Sequence, residues 1–299
     1  MTQSLPKIAE TIADVRKMVR DARQNVVLVP TMGALHDGHL ELAREARRLV
    51  GDSGLVVVSV FVNPTQFGPN EDFDAYPRNL VRDVGMCGNA GVDVVFAPPP
   101  GEVYCGDASI DVVETSLSKL LCGASRPGHF AGVCLVVLKL FNIVQPHLAV
   151  FGKKDYQQLA IIRRMVRDLN VSVEIAGIDT VREPDGLAMS SRNAYLNPEE
   201  RPQAAAIRRA MLAAADANSG GQLAAAALVE IARDIIARDA PLGCIDYLEV
   251  VDAETMQRVA ATTRPALMAV AVFFGRCRLI DNIELFTSAP VIPDAESFS

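Results

Sequence analysis

The densest chemistry in the chain sits in the run Pro30-Thr31-Met32-Gly33-Ala34-Leu35-His36-Asp37-Gly38-His39. A neutral imidazole donates and accepts hydrogen bonds and takes up charge just below pH 7, so a histidine pair suits work on phosphate oxygens. The run follows the apolar stretch Val26-Val27-Leu28-Val29 and leads into Leu40-Glu41-Leu42-Ala43-Arg44, which has helical spacing. This order predicts a strand, a turn and a helix start, with His36 and His39 on one face of the first helical turn. Imidazoles and free backbone N–H groups there form a cradle for phosphate oxygens, and Gly33 and Gly38 let a bulky ligand approach the backbone. Two blander readings stand beside it. The pair could merely hydrogen-bond its own loop, or it could bind a metal; the metal is weaker because no Cys or third His lies nearby.

Three further segments carry reactive or ligand-binding residue types. Asn63 and Gln66, in Val60-Phe61-Val62-Asn63-Pro64-Thr65-Gln66-Phe67, end an apolar run, and their uncharged amides suit the hydroxyl and carboxylate groups of a small polar substrate. Asp74-Ala75-Tyr76-Pro77-Arg78 either covers that substrate or is a surface loop. Gly152-Lys153-Lys154-Asp155-Tyr156-Gln157-Gln158 opens another helix after a strand. Its lysines can offset phosphate charge, Asp155 can cap the helix or accept from a nucleotide hydroxyl, and Gln158 lies one turn in; read alone, the segment is better taken as a capped, solvated helix start. Leu187-Ala188-Met189-Ser190-Ser191-Arg192-Asn193 offers two hydroxyls and a guanidinium, either a phosphate clamp or an ordinary serine-rich loop.

The elements that must position these groups alternate. Short β-branched runs at Val26–Val29, Leu55–Val62, Val92–Phe96, Leu148–Phe151 and Val171–Ile178 suit strands buried on both faces. Helical spacing fills Leu40–Val50, Asp74–Ala90, Phe130–Val144 and Asp155–Leu169. Strand alternating with helix predicts an α/β fold with a Rossmann-like, doubly wound parallel sheet over residues 1–180, with ligands beyond the carboxyl ends of the strands. Residues 181–299 read as a smaller C-terminal α+β domain covering the active site. It starts a helix near Asn197-Pro198-Glu199-Glu200, holds alanine-rich helices broken at Asn218-Ser219-Gly220-Gly221, and carries strands at Ile245–Val251, Ala266–Phe274 and Cys277–Leu279, with loose residues at its end.

Composition excludes several classes. A chain of 299 residues, half of them apolar, buries about three-quarters of its unfolded surface, so a sizeable core is available. Its net charge of −7 argues against a protein built to grip nucleic-acid backbones. Ser53–Asn70, the longest uncharged stretch, holds Pro64 and Pro69 and is a poor membrane span. The six cysteines form no CxxC pair and nothing at the start resembles a signal peptide, so a reduced cytoplasm is expected.

In its strand-to-helix setting, the His36-Asp37-Gly38-His39 motif resembles the signature of the class I nucleotidyltransferases, and Met189-Ser190-Ser191-Arg192 resembles their mobile loop without its lysine. Over Val26–Asn282 the chain closely resembles the pantoate:β-alanine ligase family, through PTMGALHDGH, FVNPTQF, DFDAYPR, RPGHFAGV, FGKKDYQQL, REPDGLAMSSRN, DYLEV and RLIDN. The resemblance implies that pantoate attacks the α-phosphate of ATP, releasing pyrophosphate, and that β-alanine then attacks pantoyl adenylate, giving pantothenate and AMP. It implies His39 as proton donor with His36 assisting, Lys154 as a charge stabiliser, and ATP contacts at Pro30 to His39, Gly152 to Asp155, Val181 and Met189 to Arg192. Gln66 and Gln158 would hold pantoate, Asn63 and Tyr76 would border its pocket, and Arg126 and His129 would lie on a nearby loop. Lys153 departs from the Glu or Gln usual in the family, which leaves its contact open. Mg²⁺ would arrive on ATP without protein ligands, no organic cofactor would be held tightly, and the family implies a homodimer. A related nucleotidyltransferase acting on another small substrate is the alternative, and a catalytically silent nucleotide-binding module the more distant one.

Overall fold

The computed structural model describes residues 5–22, 25–68 and 73–285. The C-terminal residues expected to be loose lie largely outside this range. Contacts divide the chain into two units. The first comprises Met1–Glu183 with Ala188–Ala194, the second Pro184–Leu187 with Tyr195–Ser299.

In chain order the first unit contains β1 (Lys7–Ala9), α1 (Ile12–Ala22), β2 (Val26–Thr31), α2 (Asp37–Val50), β3 (Leu55–Val60), α3 (Leu80–Asn89), β4 (Val94–Phe96), α4 (Pro100–Val103), α5 (Leu121–Ser125), α6 (His129–Val144), β5 (Leu148–Gly152), α7 (Tyr156–Asp168) and β6 (Glu174–Ile178). Its sheet has the order β1-β4-β3-β2-β5-β6, with every pairing parallel. From β2 the chain builds outward through β3 and β4, then returns to start β5 on β2's other side. That reversal opens a crevice beyond the carboxyl ends of β2 and β5. Helix α2 packs on β2, β3 and β5, while α6 lies on β2 and α7 on β5. Val26 to Val29 are all buried, as a strand covered on both faces requires.

The differences from expectation have local causes. The helix expected from Asp74 begins only at Leu80, because Pro77 disfavours helical geometry in the residue before it, and Asn79 caps α3 by accepting from Arg82 N at 3.0 Å. Strand β1 has no counterpart among the expected strands; it is three residues long and its Ile8 is exposed, which leaves no hydrophobic pattern to read. The boundary expected after residue 180 is interleaved: Val181–Glu183 and Ala188–Ala194 cluster with the first unit, in which Lys154 Nζ donates to Met189 O.

The second unit contains α8 (Glu200–Ala204), α9 (Ala206–Ser219), α10 (Ala225–Asp239), β7 (Gly243–Asp252), β8 (Ala266–Phe274) and β9 (Cys277–Leu285). The strands form an antiparallel sheet in the order β7-β8-β9. Pro198 does not open α8; Asn197 Oδ1 instead accepts from the amides of Glu199 and Glu200, both at 2.9 Å. Ala206, Ala210, Ala214 and Ala232 are fully buried with Ile207, Met211, Leu228 and Ile236, so the alanine-rich stretch supplies a tightly packed helical layer.

Candidate active site

The loop after β2 is held from several sides. Thr31 Oγ1 donates to Ser59 O on β3 at 2.6 Å and accepts from Gly33 N at 3.2 Å. Gly33 takes φ +83°, and a Cβ there would lie 2.9 Å from Val60 Cγ1, so the position admits only glycine. Ala34 follows with φ +51°. The amides of Ala34 and Leu35 donate to the two carboxyl oxygens of Asp83 on α3, each at 2.9 Å. His36 then caps α2.

The two histidines brace each other. His36 Nδ1 accepts from Gly38 N at 3.1 Å, and His39 Nδ1 accepts from His36 N at 3.4 Å, a reciprocal capping arrangement. Their ring centroids are 4.0 Å apart. A ring nitrogen that accepts carries no proton, so each neutral imidazole holds its proton on Nε2. Burial, then the Lys154 ammonium, lowers the pKa of His36 from 6.5 to about 4. Burial, then His36 and Lys154, lowers that of His39 to about 3. At neutral pH both are therefore uncharged Nε2–H donors. The expectation of free loop amides is corrected here: those of Ala34, Leu35, Gly38 and His39 already have protein acceptors, so the imidazoles carry the donor role.

Beyond β5, a turn at Lys153–Asp155 precedes α7 and separates the two lysines. Lys154 Nζ donates to Met189 O at 3.0 Å, joining this turn to the Met189–Arg192 loop and placing a cation near both histidines. Lys153 turns away and pairs with Asp179 at 2.9 Å, so its ammonium has a carboxylate partner outside the histidine pair. Asp155 is exposed and makes no side-chain cap on α7. Val181 accepts from Met189 N at 3.0 Å, and Ser190 Oγ accepts from Arg192 N at 3.3 Å, which shapes the serine-arginine loop.

Beyond β3, the residues expected at a substrate pocket have different tasks. Asn63 is 1% exposed and its capacity is full: Oδ1 accepts from Thr65 and from Tyr104 Oη, while Nδ2 donates to Gln66 Oε1 and Gly132 O. It orients Gln66, and its side-chain hydrogen bonds are all spent within the protein. Gln66 Nε2 faces Met32 Sδ at 3.0 Å, a weak acceptor that leaves this donor available. The Gln158 side chain is half-buried with no hydrogen-bond partner among the described residues, whereas Gln157 is buried and clamps the Leu117–Cys122 segment through Leu117 O, Leu120 O and Cys122 N. Tyr76 is buried edge-on against Phe67, within a turn that Arg78 ties together through the carbonyls of Phe73, Asp74 and Tyr76. Arg126 Nη1 lies 3.0 Å from His129 Nε2, and His129 Nδ1 lies 2.9 Å from Gln66 O. Arginine only donates, so His129 accepts at Nε2 and donates from Nδ1, bracing the Gln66 backbone.

Sequence reasoning missed Asp83, Gly132 and Gln157. A Cβ on Gly132 would overlap the Thr65 carbonyl, so glycine lets α6 approach the Pro64–Gln66 turn. The available signal was a glycine inside an apolar helix and an aspartate inside an amphipathic one.

An imidazole pair at a helix start, presented at the switch point of a parallel sheet, is the organisation of the class I nucleotidyltransferases, and the first unit has it. The chain belongs to the pantoate-beta-alanine ligase family, whose pattern matches residues 7–284, and it is thus a ligase that forms an amide bond. It is 59% identical to the pantothenate synthetase of Akkermansia muciniphila over 261 residues, covering 87% of this chain and 92% of that one. The crystal structure of pantothenate synthetase from Thermus thermophilus superposes with a TM-score of 0.88 at 47% identity, covering 94% of this chain and 99% of that one. The pantoate-beta-alanine ligase of Francisella tularensis, solved with beta-gamma ATP and beta-alanine, gives a TM-score of 0.75 at 31% identity, covering 93% and 97%.

Proposed function

We propose that this chain condenses pantoate with β-alanine at the expense of ATP, through pantoyl adenylate, releasing pyrophosphate and AMP. The observation that carries the reading is the His36–His39 pair beside Lys154, set at the crevice beyond β2 and β5. A carboxylate is a poor acyl donor because its departing oxygen is strongly basic, and adenylation bonds that oxygen to phosphorus, so that it leaves readily as part of AMP. Two neutral Nε2–H donors and one ammonium suit charge that grows on phosphate oxygens during attack at the α-phosphate. Within this reading His39 acts first as a fixed hydrogen-bond donor, because its lowered pKa leaves little imidazolium at neutral pH. Gln66 and Gln158 hold pantoate, Gln66 also bordering β-alanine, and Ser190, Ser191 and Arg192 close on the nucleotide with Val181 at the base.

Mg²⁺ enters this reading as an ion carried by the nucleotide, because magnesium is held mainly by substrate phosphates and water in such sites. When bound it neutralises phosphate charge, and the protein's part is to orient the triphosphate around it. A homodimer through the first unit is part of the proposal, carried by the family resemblance alone. A cytoplasmic setting is consistent with six free cysteines, and no helix among the described residues is long and apolar enough to cross a membrane.

The test is product analysis with ATP, Mg²⁺ and pantoate, with and without β-alanine, following pyrophosphate, AMP and pantothenate together. Equal amounts of AMP and pantothenate that depend on β-alanine support the reading. ADP as product excludes attack at the α-phosphate.

A further inference from the structure

The loop that presents the histidines has an unusual support. Asp83 is 1% exposed, lies in the first turn of α3, and receives the consecutive amides of Ala34 and Leu35 on its two oxygens at 2.9 Å. These are the residues just before His36, and Ala34 holds φ +51°, a left-handed conformation that a side-chain-bearing residue adopts only when held there. The space is filled: a Cβ on Gly33 would stand 3.1 Å from Asp83 Oδ2. Leu35 leads directly into His36, whose cap on α2 braces the His39 ring. The direction of both imidazoles therefore follows from the turn, and the turn from the carboxyl group.

We infer that Asp83 is a positioning residue for adenylate formation: by holding the amides of Ala34 and Leu35, it aims the Nε2–H groups of His36 and His39 at the reacting phosphate. This deepens the reading under Proposed function and rests on it. Asp83 need not touch either substrate. The loop gives up two amides that could have faced phosphate, and in exchange two imidazoles are held rigidly in their place. Pantoate binding is assigned to other elements, Gln66 after β3 and Gln158 in α7, and Gln66 meets this loop only through the weak contact to Met32 Sδ.

The experiment uses the full chain with Asp83→Asn, which keeps the shape but presents an NH₂ group to one of the two amide donors. Three quantities are measured: pantoate affinity, the single-turnover rate of pyrophosphate release with ATP and pantoate, and the ¹⁵N signals of the His36 and His39 rings. The expected result is a rate lower by about 10- to 100-fold, as misplacement by an ångström costs, with pantoate affinity within about threefold. The ring signals should lose the single Nε2–H pattern of the parent chain. A normal rate with unchanged ring signals overturns the inference, as does a fall in pantoate binding that merely tracks lost folded protein. Should Asp83→Asn fail to fold, hydrogen exchange in the ATP-free parent chain decides: the Ala34 and Leu35 amides should be protected, and exchange as fast as in an open loop overturns the role. Absence of any adenylate from the parent chain would instead count against the substrate reading, while the ring signals and amide exchange still test Asp83.

Discussion

At the scale of single residues, the histidine pair works by staying neutral. With folded pKa values of about 4 for His36 and about 3 for His39, neither ring gains a proton in the free protein between pH 8 and pH 5. The acid limb of kcat/KM for ATP should therefore lack a step near 6.5 that disappears in His36 and His39 variants; finding one would show that an imidazolium takes part. His39→Ala removes one fixed donor, so single-turnover adenylation should fall by about 10²- to 10³-fold with a smaller change in ATP affinity. A large loss of affinity at a normal rate would move His39 to ground-state binding. Lys153 is 26% exposed and pairs with Asp179, whose side chain is 89% exposed, so solvent screens the pair from the carboxylate side. Lys153→Glu should leave turnover within about twofold and, because exposed pairs contribute little, change stability by under about 1 kcal/mol. A collapse of turnover in steady-state assays would place this lysine in the reaction.

At the scale of elements, the pocket side of the site depends on how closely α6 approaches the Pro64–Gln66 turn. Gly132 gives its carbonyl to Asn63 and leaves room for Thr65, while Asn63 and His129 fix Gln66 from two sides. Gly132→Ala must push this turn outward. Overpacking of this kind costs about 1–3 kcal/mol, and the displaced Gln66 should raise KM for pantoate by about tenfold while KM for ATP changes little. Parallel measurement of both constants checks this, and an equal rise in the two would show general loosening. The helix and strand periods were legible here because β-branched runs and apolar spacing are local signals. That Asn63 would be saturated and Gln158 left available was not, since the partners of Asn63 include Tyr104 and Gly132, both remote in sequence.

At the scale of the whole molecule, the neutral histidines tie stability to pH. In the unfolded chain their pKa returns to about 6.5, so that state binds more protons than the folded one as the pH falls below that value. The contribution of neutral His36 and His39 is therefore complete above about pH 6.5 and is lost as the pH drops through their folded values. Urea melts at pH 7.5 and 5.0 should show the parent chain losing more stability than a His36→Gln, His39→Gln variant, and equal losses would contradict the lowered pKa values. The sequence by itself determined the parallel α/β unit, the alanine-rich helical layer of the second unit and the segments that meet at the sheet's edge, because strand and helix periods and motif order are properties of neighbouring residues. The protonation of the histidines, the capture of the loop amides by Asp83, the diversion of Lys153 to Asp179 and the division of labour between Gln157 and Gln158 were decided only by tertiary structure. Each depends on burial or on a partner far along the chain, and neither is written in local sequence.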